Sequence, residues 1–303
     1  MIKTNRMIDF KPITTDEREL YTKILKDGEK RGCEYSFPNL FLWGEIKTAT
    51  VCENIVIFAK FGDHYLYYYP IGNGNKSATL DAIIEDAQAR DIPCRISGIL
   101  EEEVTEMEKL YPDAFTFFAK DSTFDYIYLA EDLAHLSGKK YHAKRNHINK
   151  FTELHPSYKI EPISEENVPR VAKMADEWFE ERIKNNPEED FALERIAIKR
   201  ALDNIASLDM DGLILTENGE ILAMTLGSRM YADTFDVNFE KARADVDGAY
   251  PMINREFVRY ITEKYPSVTY IDREEDMGVE GLRKAKKSYH PYMQFKKYRA
   301  YKK

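Results

Sequence analysis

The sequence predicts two mixed α/β domains in tandem, joined by a strongly basic helix, and three observations carry that expectation. At 303 residues, 43% of them apolar, the chain is long enough for two ordinary cores, because single cores stop growing near 250–300 residues. The same order of helical and extended patterns runs through it twice. Charge is segregated by position rather than spread evenly.

The first half begins extended near Phe10, followed by a helix at about 15–30 and a second at about 38–46. Strand-like runs TATVCENIVIFAKF and HYLYYYPIG come next. A helix (TLDAIIEDAQARDI), a strand (CRISGIL), a helix (EEEVTEMEKLY) and a long extended run (AFTFFAKDSTFDYIYL) complete it, with Gly72, Gly74, Pro93 and Pro112 as punctuation. The second half repeats that order. YKIEPIS is a strand, ENVPRVAKMADEWFEERI and FALERIAIKRALDNI are helices, and DGLILTENGEILAMTLGSRM is a hairpin turning at Asn218-Gly219. The strand ADTFDVNFEKA, the helix PMINREFVRYITEKY, the strand VTYIDREE, the helix MGVEGLRKAKKSYH and a last strand YMQFKKYRAY follow. Each half therefore reads as strand, two helices, three strands, helix, strand, helix, strand, the pattern of a mixed α/β sheet domain. The boundaries drawn on this basis are 1–136, a linking helix within 137–156, and 157–303.

The chain carries a formal charge of −9, yet residues 137–151 hold five Lys/Arg and no carboxylate, and residues 282–303 hold nine Lys/Arg and no carboxylate. Two basic islands in an acidic body bind an anion locally while the remainder repels nucleic acid in general, so DNA is not an expected partner. Read as a helix, SGKKYHAKRNHINKF puts Tyr141, Ile148 and Phe151 on one side and His142, Arg145, Asn146 and Asn149 on another. Ser137 is a candidate N-cap. Lys139 and Lys140 stand in the first turn, where the helix dipole disfavours cations. Together with Lys144 these residues form a candidate phosphate-binding face; the plainer reading is a solvated basic helix at a domain junction.

Other classes are excluded quickly. The N-terminal segment has no apolar run that would serve as a signal peptide, and no window approaches the roughly 18 apolar residues of a membrane span, so a cytoplasmic location is expected. Cys33, Cys52 and Cys94 are odd in number and lack paired spacing, and they read as buried thiols. Walker, HExxH and nucleophile-elbow motifs are absent. No metal site is expected, since His142 and His147 are separated by five residues and point about 140° apart on a helix.

The segments LSGKKYHAKRNHINKF and DREEDMGVEGLRKAKKSYHP, in this order of elements, resemble a family of uncharacterised bacterial proteins related to the C-terminal domain of phosphatidylglycerol lysyltransferase. The resemblance covers nearly the whole chain. It implies two tandem GNAT-like acyltransferase domains, an arrangement also seen in the Fem peptidyltransferases, which take amino acids from aminoacyl-tRNA. On that basis the first domain is expected to be scaffold and the second to hold the reaction cleft, where the fourth and fifth strands of the fold splay apart.

Strand alternation on ADTFDVNFEKA puts Phe235, Val237 and Phe239 on one face and Asp236, Asn238 and Glu240 on the other. Glu240 or Asp236 is then the candidate base for an attacking amine, which must lose a proton before attacking a carbonyl carbon. In a purely structural reading Glu240 pairs with Lys241 or Arg243. Arg273, among Asp272, Glu274, Glu275 and Asp276, is either an ion-pair hub or an anion ligand. Asp276 is placed to cap the helix carrying Arg283, Lys284, Lys286 and Lys287, of which Arg283, Lys284 and Lys287 are further candidates for the donor's phosphates. In the tail, Tyr289, Tyr292, Phe295, Tyr298 and Tyr301 interleave with bases, either to stack nucleotides or as an amphipathic edge strand.

Coenzyme A-dependent GNAT enzymes carry a Gln/Arg-x-x-Gly-x-Gly/Ala loop, and here the loop is Arg243-Ala-Asp-Val-Asp-Gly248-Ala249. The arginine is displaced, one glycine is missing, and two aspartates would repel phosphate. The expected cosubstrate is therefore an aminoacyl-tRNA, with acyl-CoA as the alternative donor, a non-catalytic anion- or RNA-binding module as the third reading, and no permanently bound cofactor. The acceptor is an amine or hydroxyl of a lipid, peptide or small molecule. The sequence shows no amphipathic aromatic helix for membrane docking, although peripheral lipid contact stays open.

Overall fold

The computed structural model describes residues 7–27, 31–188 and 190–303. The chain divides into one unit of Met1–Phe124 with Phe295–Lys303 and a second of Asp125–Gln294. Among the described residues each unit is built on a seven-stranded mixed sheet.

The first sheet runs in the spatial order Lys11–Pro12, Glu45–Val51, Asn54–Phe61, His64–Tyr68, Arg95–Ile99, Tyr298–Lys302, Phe115–Ala119. Its helices include Arg18–Asp27, Phe37–Leu42, Lys76–Ala89 and Glu101–Leu110. The helix expected at about 15–30 opens as a 3-10 turn at Thr15–Glu17 and continues as Arg18–Asp27, while residues 28–30 lie outside the described set. The second expected helix is shorter than its pattern, because the chain is already extended at Glu45. The run TATVCENIVIFAKF is not one strand but two, reversing at Cys52 and Glu53, whose φ angles of 47° and 65° are those of a tight two-residue hairpin turn. That turn leaves Cys52 exposed and Cys33 half-buried; only Cys94 is the buried thiol expected of all three.

The second sheet runs Met293–Phe295, Asp125–Leu129, Tyr270–Asp272, Thr234–Ala242, Glu220–Arg229, Met210–Glu217, Lys159–Pro162. Asn218 and Gly219 turn the predicted hairpin with φ of 52° and 86°. The helix Ala249–Lys264 packs on this sheet through Met252, Ile253, Phe257, Val258 and Ile261, with Phe235 and Phe257 ring centroids 5.7 Å apart. Tyr141, Ile148 and Phe151 join the same core, as the helical pattern of the basic segment required. That segment is a 3-10 turn, Lys139–Tyr141, followed by the helix His142–Leu154. Ser137 does not cap it, since neither start has a side-chain cap.

Two extended runs read as single strands cross from one sheet to the other. AFTFFAKDSTFDYIYL breaks at a 3-10 turn, Asp121–Thr123, giving Phe115–Ala119 to the first sheet and Asp125–Leu129 to the second. YMQFKKYRAY likewise gives Met293–Phe295 to the second sheet and Tyr298–Lys302 to the first. The second unit thus begins at Asp125, whereas the sequence pattern placed the end of the first domain at 136. Tyr298–Lys302 is also no edge strand, because it is hydrogen-bonded between Arg95–Ile99 and Phe115–Ala119.

Candidate functional site

The central strand Thr234–Ala242 runs parallel to Tyr270–Asp272 only through the pairs Thr234–Tyr270, Phe235–Ile271 and Asp236–Asp272. Beyond Asp236 and Asp272 the two strands part, so the side chains that follow leave the ladder.

On its other edge the central strand pairs with Glu220–Arg229, and there the register slips. Leu226 faces Phe239 and Ser228 faces Asp236, so Gly227 stands opposite two residues, Val237 and Asn238. This is a β-bulge. Gly227 is needed at that point, because a Cβ on it would lie 2.3 Å from the Asp236 carbonyl oxygen and 2.5 Å from the Phe235 ring.

The bulge overturns the expected alternation. Phe235, Val237 and Ala242 share the core with the helix Ala249–Lys264, and Glu240 points to that side as well, its Oε2 accepting a 2.9 Å hydrogen bond from Asn254 Nδ2. Lys241 points to the opposite face, where its Nζ lies 3.9 Å from the Trp178 ring centroid and 2.7 Å from Glu194 Oε1. Asp236 and Asn238 are therefore separated from Glu240, one extra residue having exchanged the faces.

Two clusters result. In the first, Glu240 Oε1 accepts from Arg273 Nη2 at 3.0 Å, with the two side chains only 9% and 13% exposed. Glu240 pairs with neither Lys241 nor Arg243, the latter being bound to Asp245 at 2.8 and 3.0 Å. The Arg273 guanidinium carbon lies 4.9 Å from the Tyr289 ring centroid and 5.8 Å from that of Tyr128, while its Nη1 is buried with no hydrogen-bond partner among the described residues. Lys144 of the basic helix brings its Nζ to 3.9 Å from the same Tyr289 ring. Burial, and then the neighbouring Arg273 charge, pull the Lys144 amine down to about 8, against the opposing pull of Glu240.

In the second cluster Asp236 is buried and its Oδ2 accepts from Asn238 Nδ2 at 2.9 Å. Asn238 also reaches Glu274 at 3.4 Å and receives the Ser228 hydroxyl at 3.1 Å. Burial first, then Glu274, Asp272 and Asp125, hold the Asp236 carboxyl well above the usual carboxylate range. Lys286 supplies the nearby positive charge, and its Nζ donates to the carbonyls of Arg273, Glu274 and Glu275 at 2.5, 3.1 and 2.5 Å, fixing the turn that follows Asp272.

The remaining sequence candidates are mostly engaged elsewhere. Lys140 pairs with Asp132 at 2.9 Å, Arg145 donates to the carbonyls of Leu136 and Gly138, and Asn146 is turned to His142 at 3.3 Å. Arg283 is spent on Asp276 through bonds of 2.8 and 2.9 Å, and Lys284 pairs with Glu280 in the same helix. Asp276 does not cap the helix Glu280–Lys287; its Oδ1 accepts from Gly278 N in the preceding turn. Lys139, Asn149 and Lys287 are exposed. Of the eleven donor-binding candidates, the structure brings two, Lys144 and Arg273, together with Glu240.

Asn254 and Tyr128 are not among the residues singled out from the sequence, and Tyr289 is singled out there only as one of the tail aromatics. The only available signal was Asn254 as a polar interruption of an otherwise apolar helix face.

The loop before Ala249–Lys264 is the one to which the GNAT resemblance assigns the pyrophosphate. Gly248, φ 87°, allows the loop to approach the basic helix, since a Cβ there would meet the His147 carbonyl at 2.5 Å. Asp247 is held by His147 at 3.0 Å and Lys150 at 2.8 Å. Asp247, the residue before the N-cap Gly248, is thus turned to the basic helix, no side chain caps Ala249–Lys264, and Pro251 in the first turn has no N–H to offer.

No helix among the described residues is long and apolar enough to cross a membrane. No curated protein matches the chain. Among solved structures, a conserved protein of unknown function from Bacteroides thetaiotaomicron is 39% identical, with 98% of this chain and 100% of that one covered and a TM-score of 0.89. L-PGS from Bacillus licheniformis is 16% identical over 98% and 94% of the two chains, TM-score 0.68. FemX is 12% identical over 96% and 97%, TM-score 0.63. The expected tandem GNAT-like fold is the fold observed. Residues 26–301 match the family described as phosphatidylglycerol lysyltransferase, C-terminal, and the chain belongs to that family.

Proposed function

We propose that the protein is an aminoacyl transferase that moves an aminoacyl group from aminoacyl-tRNA to an amine or hydroxyl acceptor at the parting of the central strands. Membership of the lysyltransferase family supports the reaction class. The observation that carries the choice of donor is the loop before Ala249. Asp247 stands just before the helix entrance, bound to His147 and Lys150, and Pro251 removes one first-turn N–H, so a pyrophosphate there would lie close to a carboxylate. The positive charge lies instead in Lys144 and Arg273, with an uncommitted Nη1 on the guanidinium, a pairing that suits the phosphate or ester end of a nucleic-acid donor.

In this reading Glu240 does not act as the base. Both its oxygens are engaged, by Arg273 and Asn254, and its task is to hold the guanidinium in place. Asp236 lies in the other cluster and shapes the turn rather than meeting the substrate.

The test is fluorescence anisotropy with labelled bulk tRNA at two salt concentrations, with coenzyme A and acetyl-CoA as competitors. Salt-sensitive binding that neither competitor displaces, weakened at least tenfold by Arg273→Met, is the expected result. Saturable coenzyme A binding without tRNA binding sinks the proposal.

A further inference from the structure

We propose that Lys144 is the proton-transfer residue of this site, its amine taking the proton from the attacking acceptor and passing one to the departing ribose hydroxyl. This rests on the aminoacyl-transfer reading.

Geometry separates Lys144 from the other cations of the basic segment. Lys140 and Lys150 are neutralised by Asp132 and Asp247, and Arg145 is fixed by carbonyl groups. Lys144 makes no hydrogen bond or ion pair among the described residues; its amine rests over the Tyr289 ring. Three groups face it. Arg273, from the segment after Tyr270–Asp272, lies over the same ring; Glu240, from the central strand, already belongs to Arg273; and Tyr289, after the helix Glu280–Lys287, is itself held protonated by burial.

A charged amine there is partly desolvated beside a guanidinium whose countercharge is shared, so the charged form is less favoured than in a free lysine. The amine titrates at about 8 in place of 10.5, which raises its neutral fraction near neutral pH by roughly 300-fold. It is thereby poised for proton exchange at working pH.

The step balances without a further reactant. The acceptor's N–H or O–H bond breaks as its lone pair forms a bond to the ester carbonyl carbon, and the proton goes to Lys144 Nζ. The tetrahedral adduct then collapses, the carbon–oxygen bond to the ribose breaks, and the Lys144 ammonium protonates the leaving oxygen. Arg273 Nη1 is the nearby donor for the carbonyl oxygen as it gains charge.

The test uses the full chain, with lysines reductively methylated with 13C and followed by NMR against pH, the Lys144 resonance being identified by its absence in Lys144→Arg. In parallel, transfer of radiolabel from charged bulk tRNA to phosphatidylglycerol vesicles or to a peptide mixture is measured from pH 6 to 9, together with tRNA anisotropy. The expected result is a resonance titrating near 8 and a wild-type rate rising through the same range. Lys144→Arg, which keeps the positive charge, should bind tRNA within about threefold of wild type, transfer at least about 100-fold more slowly and lose the pH limb, while Lys144→Gln should lose at least about 30-fold more transfer than tRNA binding. Titration above 10, or variants whose activity falls only in step with tRNA binding, overturns the proton-transfer role. A Lys144 amine titrating near 8 in a protein that transfers nothing from charged tRNA overturns the donor reading, and the proposed role with it.

Discussion

Glu240 Oε1 and Arg273 Nη2 lie 3.0 Å apart, although their strands stop pairing at Asp236 and Asp272. The ion pair thus spans the point where the sheet opens. Removing one partner of a buried pair leaves an uncompensated charge, which costs about 3 kcal/mol or more. Glu240→Gln and Arg273→Met are each expected to lower stability by about that amount. The double variant should recover part of the loss, with a coupling of about 1–3 kcal/mol in a urea-unfolding cycle. Additive single effects would show that the two side chains do not act as a pair.

The bulge makes a second prediction. Gly227→Ala forces a methyl group against the Asp236 carbonyl and the Phe235 ring, and overpacking of this kind costs about 1–3 kcal/mol. Because the bulge also decides which face Glu240 takes, transfer activity should fall further than stability does. Gly281, in the helix Glu280–Lys287, has open space around its Cβ position, so Gly281→Ala should stabilise by about 0.5–1 kcal/mol. Thermal unfolding of the two variants side by side checks both signs.

The same bulge marks how far the sequence could be read. Helix periods, the Asn218-Gly219 turn and the basic segment were all legible, because each is set by residues close in the chain. The exchange of Glu240 to the opposite face was not, since a bulge depends on the partner strand and the only local trace is Gly227. The crossings at Asp121–Thr123 and between Phe295 and Tyr298 were hidden for a related reason: an extended apolar run reads alike whether it serves one sheet or two. Lys144 and Arg273 were found as charges, but their meeting over Tyr289 rests on contacts between elements far apart in the sequence.

Asp276 provides a pH test with a definite sign. Its carboxylate accepts two bonds from Arg283, one from the Tyr126 hydroxyl and one from Gly278 N. The Arg283 bonds foremost hold it well below the usual carboxylate range. A carboxyl depressed on folding contributes stability that is fully present above its unfolded value near 4 and is lost as pH falls through its folded value. Wild type should therefore melt above Asp276→Asn by a constant margin from pH 8 to about 5, and the margin should shrink below about 4. Calorimetry across that range is the measurement, and a margin independent of pH would assign the effect to packing.

Asp236 carries the opposite sign. Burial and the nearby Glu274, Asp272 and Asp125 raise its carboxyl on folding, so the folded protein holds a proton that the unfolded chain releases above about 4. Stability from this residue is highest below that value and declines as pH rises towards the folded value. Asp236→Asn keeps an oxygen to accept from Asn238 Nδ2 and removes the titration. The variant should match wild type near pH 4 and exceed it progressively towards pH 8, measured as urea midpoints at both ends. If Asp236 serves only the turn, transfer should survive the change with its pH profile intact. A large loss of rate at unchanged stability would instead return the carboxyl to the reaction and displace Lys144 from its proposed role.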